Sequence, residues 1–147
     1  MRYGPLVLWL GLIAFASTAG FSASNTSMFI RPLLKWLFPG HSEAELTSLH
    51  VLVRKAGHFF EYAVLAFFAR RAFISSTHLF IRRRWFELAL LLVVVNSFLD
   101  ELLQSFVPSR TGSIYDSFID IAGGLTVLIV FKLFEKQTVR NARAADD

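Results

Sequence analysis

Residues 54–71 read RKAGHFFEYAVLAFFARR, an apolar and aromatic segment with basic residues at both ends. A segment of this kind is typical of a membrane-spanning helix, yet it carries His58 and Glu61 three residues apart. An ionisable side chain at the bilayer centre costs about 2.5–3.5 kcal/mol on insertion scales, so such residues face a partner or a polar cavity. Fold and function therefore depend on which other groups reach these two side chains.

The composition of the chain indicates a membrane protein with several spans. Hydrophobic residues make up 54% of the 147 residues, aromatic residues make up 15%, and phenylalanine alone occurs 16 times. A small soluble domain keeps much of its surface in water and could not bury this much apolar area. Charged residues make up only 18% of the chain and stand between long uncharged runs. The pattern predicts a polytopic membrane protein of the all-α class.

The sequence also excludes several classes of function. It contains no cysteine, which rules out disulfides and thiolate metal sites. It lacks the glycine-rich phosphate loops and the G-x-S-x-G motif, so neither nucleotide-driven nor serine-hydrolase chemistry is expected. The basic residues behind the net charge of +4 flank the apolar runs and form no stripe with stacking aromatics. No nucleic-acid partner is therefore expected.

Four segments approach the ~20 residues that a helix needs to cross the hydrocarbon core. The first has a second interpretation, as a signal peptide with a cleavage site at Ala14-Phe15-Ala16. We interpret it as a span, because the rest of the chain is itself predicted to lie in the membrane. The whole chain, residues 1–147, is then a single membrane domain. Its predicted spans cover about residues 5–21, 56–74, 86–107 and 117–134.

The distribution of lysine and arginine predicts the orientation of these spans. With the N-terminus inside, ten basic residues lie on inner pieces of the chain and five on outer pieces. The positive-inside rule therefore favours a four-transmembrane-helix bundle with both termini inside. The outer loop between spans one and two contains FIRPLLKWLF, which is typical of an amphipathic segment at the membrane surface. Ser42 and Glu45 then form a capping-box pattern that predicts a helix start.

Polar side chains occur in the outer halves of three predicted spans. Those of span two recur at intervals of three and four and so share one helix face. Gly123 and Gly124, about one turn deeper in span four, would let a neighbouring helix approach closely. We therefore expect an outward-facing polar pocket. Its residues are His50, Arg54, Lys55, His58 and Glu61 on the helix that enters span two, Asn96, Asp100, Glu101 and Gln104 on span three, and Asp116 and Asp120 at the start of span four.

Three blocks, KAGHFFEYAVLA, LDELLQSFVPSRTGSIYD and DIAGG, occur in this order along the chain. They follow the patterns K-x-x-H-F-x-E-Y, D-E-x-x-Q-x-F-x-P-x-R and D-x-x-x-[ND]-x-x-G, and in this the sequence resembles the VanZ-like family of membrane proteins. The resemblance covers residues 22–125. Position 120 is aspartate here, where asparagine is often expected, so the pocket is more acidic. The polar motif positions of the family fall on Lys55, His58, Glu61, Asp100, Glu101, Gln104, Arg110, Asp116 and Asp120.

The resemblance implies a small multi-pass protein of the bacterial cytoplasmic (inner) membrane, with its polar site facing the periplasm or exterior. The founding members of the family are linked to resistance to the glycopeptide antibiotic teicoplanin. This setting makes a membrane lipid or a lipid-linked envelope precursor the expected partner. The resemblance defines neither a reaction nor an oligomeric state.

The pattern assigns each polar residue a candidate role in such a site. The candidate acid–base residues are His58, Glu61, Asp100 and Glu101. The candidate substrate-binding residues are Arg54, Lys55, Gln104, Arg110, Ser113, Asp116 and Asp120. The pattern defines no particular cofactor, but a divalent cation would have candidate ligands in Glu61, Asp100, Glu101 and Asp120.

Two functions agree with this pattern. In the first, the pocket binds an anionic lipid or lipid-linked precursor and, if the protein is an enzyme, modifies its head group. In the second, the protein is a non-enzymatic membrane scaffold or accessory factor whose polar cluster is structural. The sequence leaves open which of the two applies.

Overall fold

The computed structural model of the chain describes residues 2–18, 22–108 and 113–146. Within these residues the protein is entirely helical and has no strand, which confirms the all-α prediction. The helices are α1 (Gly4–Ala16), α2 (Ala23–Leu37), α3 (Glu43–Ile74), α4 (Leu79–Arg83), α5 (Trp85–Ser105) and α6 (Ile114–Asp146).

The predicted capping box is present at the start of α3. The Glu45 backbone N–H donates to Ser42 Oγ (3.3 Å), and the Ser42 backbone N–H donates to Glu45 Oε2 (2.7 Å). Ser42 and Glu45 therefore satisfy each other's backbone donors at a terminus where no intrahelical acceptor exists. From this start α3 runs without interruption for 32 residues and includes the predicted second span.

Helices α3, α5 and α6 pack against one another, and α1 and α2 pack against α3. The pairs His58–Asp120 and Arg70–Glu135 both join α3 to α6, which shows that these two helices run in the same direction. Trp9 of α1 donates to the Glu61 carbonyl of α3 (2.9 Å). Ser17, just after α1, donates to Asp100 near the end of α5, so α1 and α5 end on the same side of the bundle. Successive long helices α1, α3, α5 and α6 consequently alternate in direction.

The interface of α3 is made from small and fully buried side chains. Ala66, Ala69 and Ala72 recur every three residues and have no exposed surface. Tyr62 and Leu65 are also fully buried and belong to the same apolar core. Small side chains let helix backbones approach closely, and close approach strengthens the van der Waals packing between the helices.

Gly123 and Gly124 of α6 allow the close helix approach that the sequence predicted. A Cβ atom added at Gly123 would collide with the carbonyl of Phe59 in α3. One added at Gly124 would lie 2.7 Å from a methyl group of Val93 in α5. Helix α6 is therefore seated against both neighbours at positions where only glycine fits.

One helix clearly satisfies the length and hydropathy expected of a membrane span. Among the described residues, this is the segment Ile114–Thr138 of α6, with 25 residues and a mean hydropathy of 1.9 in its most apolar window. The segment Gly4–Ala16 is apolar but shorter. The arrangement of four spans and its orientation stay predictions.

We expect Gly123→Ala to lower the stability of the bundle. The added methyl group meets the Phe59 backbone, which cannot rotate away, and overpacking of this kind costs about 1–3 kcal/mol. The measurement is the midpoint of thermal unfolding in mild detergent, read by loss of the monodisperse species. Gly11→Ala is the matched control, since a Cβ there meets nothing within 4 Å. A midpoint equal in both variants would contradict the close α3–α6 approach.

Candidate functional site

A polar cavity of about 260 Å³ lies at the end of the bundle where α1 stops and α2 and α6 begin. Apolar walls come from residues such as Ile30 of α2 and Val53 of α3. The polar groups that face it come from three helices, α2, α3 and α5, and from the segment that follows α1. These groups are Ser17, Thr26, Arg54, His58, Glu61, Asp100 and Gln104.

His58 and Asp120 form the contact that joins α3 to α6 at this cavity. His58 Nδ1 lies 3.1 Å from Asp120 Oδ1, within hydrogen-bond distance. The Asp120 side chain is fully buried, whereas His58 is 12% exposed and lines the cavity. Ser97 Oγ of α5 lies 3.4 Å from Asp120 Oδ2 and 3.0 Å from the Ser117 carbonyl, so its one hydroxyl hydrogen can be donated to either acceptor. A buried carboxylate thus orients an imidazole that faces open space, as in many acid–base sites.

Asp100 is the second buried carboxylate of the site. Its Oδ1 accepts a hydrogen bond from Ser17 Oγ, just beyond the end of α1. Its Oδ2 accepts from Gln104 Nε2 (3.0 Å), which lies one turn further along α5. Helical spacing of four places Asp100 and Gln104 on one face, and both line the cavity.

Asp100, Asp120 and His58 form one group with metal-ligating atoms. Each offers one ligand atom, and the three atoms lie within 4.8 Å of one another. Among the described residues, the other two predicted ligands, Glu61 and Glu101, are not part of this group. Glu61 lines the cavity. The structure therefore brings together two of the four predicted cation ligands and adds an imidazole.

Glu101 and Asp116 make contacts at the edge of the site. The Ser113 backbone N–H donates to Glu101 Oε2, which links α5 to the start of α6. Lys55 Nζ lies 3.3 Å from Asp116 Oδ1, and these side chains are 43% and 24% exposed. Glu101 is buried, and its Oε1 has no hydrogen-bond partner among the described residues.

Arg54 brings a positive charge to the cavity. Its guanidinium donates to Thr26 Oγ1 of α2 (3.2 Å). Thr26 Oγ1 also lies 3.4 Å from Nε2 of the buried His50. Burial and the nearby charge of Arg54 lower the pKa of His50, so this imidazole is neutral near pH 7 and adds no charge beside the guanidinium.

Most of the polar side chains that the sequence singled out lie at this end of the bundle. Arg110 lies outside the described residues. Asn96, expected on the same face as Asp100, instead donates to the Leu92 carbonyl of its own helix (2.9 Å). Asn96 therefore satisfies its amide locally.

Sequence reasoning missed three serines near the two buried carboxylates. Ser17 contacts Asp100, Ser97 contacts Asp120, and Ser117 donates to the Ser97 carbonyl. Ser97 and Ser117 each precede a predicted acid by three residues, Asp100 and Asp120, so helical spacing could have pointed to them. Ser17 carries no such signal, because it lies 83 residues from Asp100 in the chain. Only the packing of α1 brings it to the site.

The arrangement has the parts of an acid–base or anion-binding site. His58 can transfer a proton at the cavity surface while Asp120 holds its ring. Arg54 can bind an anionic group through several N–H donors. Carboxylates on two further helices can position a cation or a hydroxyl group.

Fold and site together define an all-helical protein with a buried histidine–carboxylate site at one end of its bundle. The family model described as VanZ/LLP1 matches residues 3–135, so the chain belongs to the VanZ/LLP1 family and is a VanZ-like protein of the cell envelope. This confirms the resemblance found in the sequence. Neither the comparison with curated proteins nor the comparison with solved structures finds a match.

We expect a larger coupling energy for His58–Asp120 than for Lys55–Asp116. The first pair is buried, and its coupling should reach about 1–2 kcal/mol, as for strong hydrogen bonds within membrane proteins. The second is partly exposed, and its coupling should stay below about 1 kcal/mol. The measurement is a double-mutant cycle on the free energy of unfolding, with His58→Gln and Asp120→Asn against Lys55→Gln and Asp116→Asn. Equal couplings would show that burial adds nothing to the His58–Asp120 contact.

Proposed function

We propose that the protein crosses the bacterial cytoplasmic membrane four times, with both termini inside and the polar cavity facing outward. The alternating directions of α1, α3, α5 and α6 support this arrangement, since successive spans must alternate. Large apolar side chains on several helices also point away from the core. Leu8, Leu91, Phe118 and Leu133 are 67%, 58%, 61% and 61% exposed, which is typical of a surface in contact with lipid.

Single cysteines test this orientation directly, because the chain has no cysteine of its own. We expect a membrane-impermeant maleimide to label Ser48→Cys in intact cells and to leave Thr77→Cys unlabelled. Both positions are exposed, so lysis should allow labelling of both and serves as the control. Labelling of Thr77→Cys but not Ser48→Cys in intact cells would reverse the orientation.

We further propose that the cavity binds the anionic head group of a membrane lipid or lipid-linked envelope precursor. The observation that carries this proposal is the convergence of Arg54, His58 and Asp100 on one 260 Å³ cavity. A space of that size accommodates a phosphate and its neighbouring hydroxyl groups. Arg54 contacts the phosphate, because a guanidinium fork matches phosphate oxygens. The other predicted substrate contacts stay part of the proposal; they are Lys55, Gln104, Arg110, Ser113, Asp116 and Asp120.

If the protein modifies this head group, the chemistry belongs to His58. Its imidazole faces the cavity, and Asp120 behind it stabilises the protonated form that arises during proton transfer. Glu61 and Asp100 line the same cavity and supply further proton acceptors. Glu101 lies at the edge of the site and acts indirectly. Its hydrogen bond with the Ser113 backbone N–H holds the start of α6 in place. In this proposal, a change in the lipid-linked precursor would alter susceptibility to teicoplanin.

Lipid that remains bound after purification tests the head-group proposal. We expect native mass spectrometry of the wild-type protein to show a bound anionic phospholipid or polyprenyl phosphate. Arg54→Gln should lower the bound fraction at least about fivefold, since one charged hydrogen bond contributes roughly 1.5–3 kcal/mol. Lys35→Gln is the matched control, because Lys35 is a basic residue whose ion pair with Glu43 lies outside the cavity. Equal lipid in both variants would refute the role of Arg54.

The second function is a membrane scaffold or accessory factor in which the polar cluster stabilises the bundle. The observation in its favour is that Asp100 and Asp120 already accept hydrogen bonds from protein donors. If the cluster is structural, substitution of its residues should unfold the protein. If it is a head-group site, the same substitutions should remove the ligand and leave the fold intact. Absence of any bound lipid from the wild-type protein, with teicoplanin susceptibility unchanged by Arg54→Gln, would favour the scaffold.

A further inference from the structure

His58, Asp100 and Asp120 come from three different helices and place their ligand atoms within 4.8 Å of one another. Two of the three, His58 and Asp100, also line the cavity. We propose that these three residues bind one divalent transition-metal ion in the wall of the cavity. This site differs from the purely carboxylate set expected from the sequence, because an imidazole replaces Glu61 and Glu101.

The spacing of the atoms fits a metal ion. Ligands about 2.1 Å from a metal lie about 3.0 Å apart when adjacent in an octahedron and about 4.2 Å apart when opposite. His58 Nδ1 and Asp120 Oδ1 lie 3.1 Å apart, as two adjacent ligands would. All three ligand atoms lie within 4.8 Å of one another. This upper limit is on the order of 0.6 Å longer than the distance between opposite ligands in an octahedron, and side-chain rotation can close that difference.

The residues around the group resemble the outer shell of a metal site. Ser17 and Gln104 donate to the two oxygens of Asp100, and Ser97 Oγ lies within hydrogen-bond distance of Asp120. Such hydrogen bonds fix the orientation of ligating carboxylates and strengthen metal binding. Each carboxylate oxygen has two lone pairs, so an oxygen that accepts a hydrogen bond can also coordinate a metal ion.

The donor set favours Zn²⁺ or Mn²⁺ over Mg²⁺ or Ca²⁺. An imidazole nitrogen suits a transition metal, whereas magnesium and calcium prefer oxygen ligands throughout. Three protein ligands leave at least one coordination position open, which is typical of catalytic metal sites. Since His58 and Asp100 face the cavity, an open position there would be reached by water or by a phosphate oxygen. Binding of the metal itself does not depend on the head-group proposal. It does replace the acid–base role of His58, because an imidazole nitrogen that binds a metal carries no proton.

Metal content of the purified full-length protein tests this site without any lipid. The protein is stripped with EDTA in mild detergent, incubated with Mn²⁺, Zn²⁺ or Mg²⁺ in separate samples, desalted, and analysed by inductively coupled plasma mass spectrometry. We expect about one Mn²⁺ or Zn²⁺ per chain and little Mg²⁺. Asp100→Asn and Asp120→Asn should each lower retention at least about tenfold. Glu87→Gln is the matched control, because Glu87 is an exposed acid on the same helix as Asp100.

A second measurement keeps the test informative if a variant folds poorly. In the Mn²⁺-loaded wild-type protein, pulsed electron paramagnetic resonance should detect coupling to a histidine nitrogen, and His58→Gln should remove it. Retention of less than about one tenth of an equivalent by the wild-type protein would overturn the site. Full retention by Asp100→Asn and Asp120→Asn, or nitrogen coupling that persists in His58→Gln, would also overturn it. Loss of metal from Asp100→Asn with lipid retained would leave the head-group proposal standing.

Discussion

The contact between His58 and Asp120 is the constraint on which the rest of this structure depends. A fully buried carboxylate is stable only with a partner, and its partner lies on a different helix. Next to this pair, Gly123 seats α6 against the backbone of Phe59, the residue after His58. The glycine sets how close the helices come, and the polar pair sets their register along the axis. The polar pair depends on the glycine, because a Cβ at Gly123 would push α6, and Asp120 with it, away from the imidazole.

The far end of the same two helices is held by a different kind of interaction. Arg70 of α3 donates to Glu135 of α6 (2.8 Å), and its guanidinium lies over the rings of Phe131 (4.1 Å) and Trp85 (5.3 Å). Aromatic faces attract the cation. The parallel packing of α3 and α6 is therefore fixed at both ends, and α5, which packs against both helices, runs in the opposite direction. Because one end is acidic and the other basic, the bundle also carries a charge asymmetry along its axis.

Long apolar runs were sufficient to predict the all-α class, and helical spacing predicted which polar side chains share a face. The sequence pattern also placed His58, Asp100 and Asp120 at one end of the molecule, through the predicted direction of each span. It could not show which acid reaches the imidazole, because that depends on how each helix is rotated about its axis. Packing between distant segments sets this rotation, and the same packing brings Ser17 to Asp100 and Ser97 to Asp120. The glycine pair was predictable, since small residues at a helix interface have one main physical role.

Helix α2 forms the least firmly held wall of the cavity. Thr26 and Ile30 face inward, and Thr26 accepts a hydrogen bond from Arg54 of α3. The other polar ties to α3 are the ion pairs of Arg31 and Lys35 with Glu43, which are exposed. Exposed pairs contribute roughly 0–1 kcal/mol each, far less than the packing that holds α3, α5 and α6 together. The outer face of α2 is apolar and exposed, as expected for a helix that lies at a membrane surface. In the proposed head-group site, a ligand that enters along α2 would therefore break the exposed ion pairs and the Arg54–Thr26 hydrogen bond, and it would leave the His58–Asp120 pair intact.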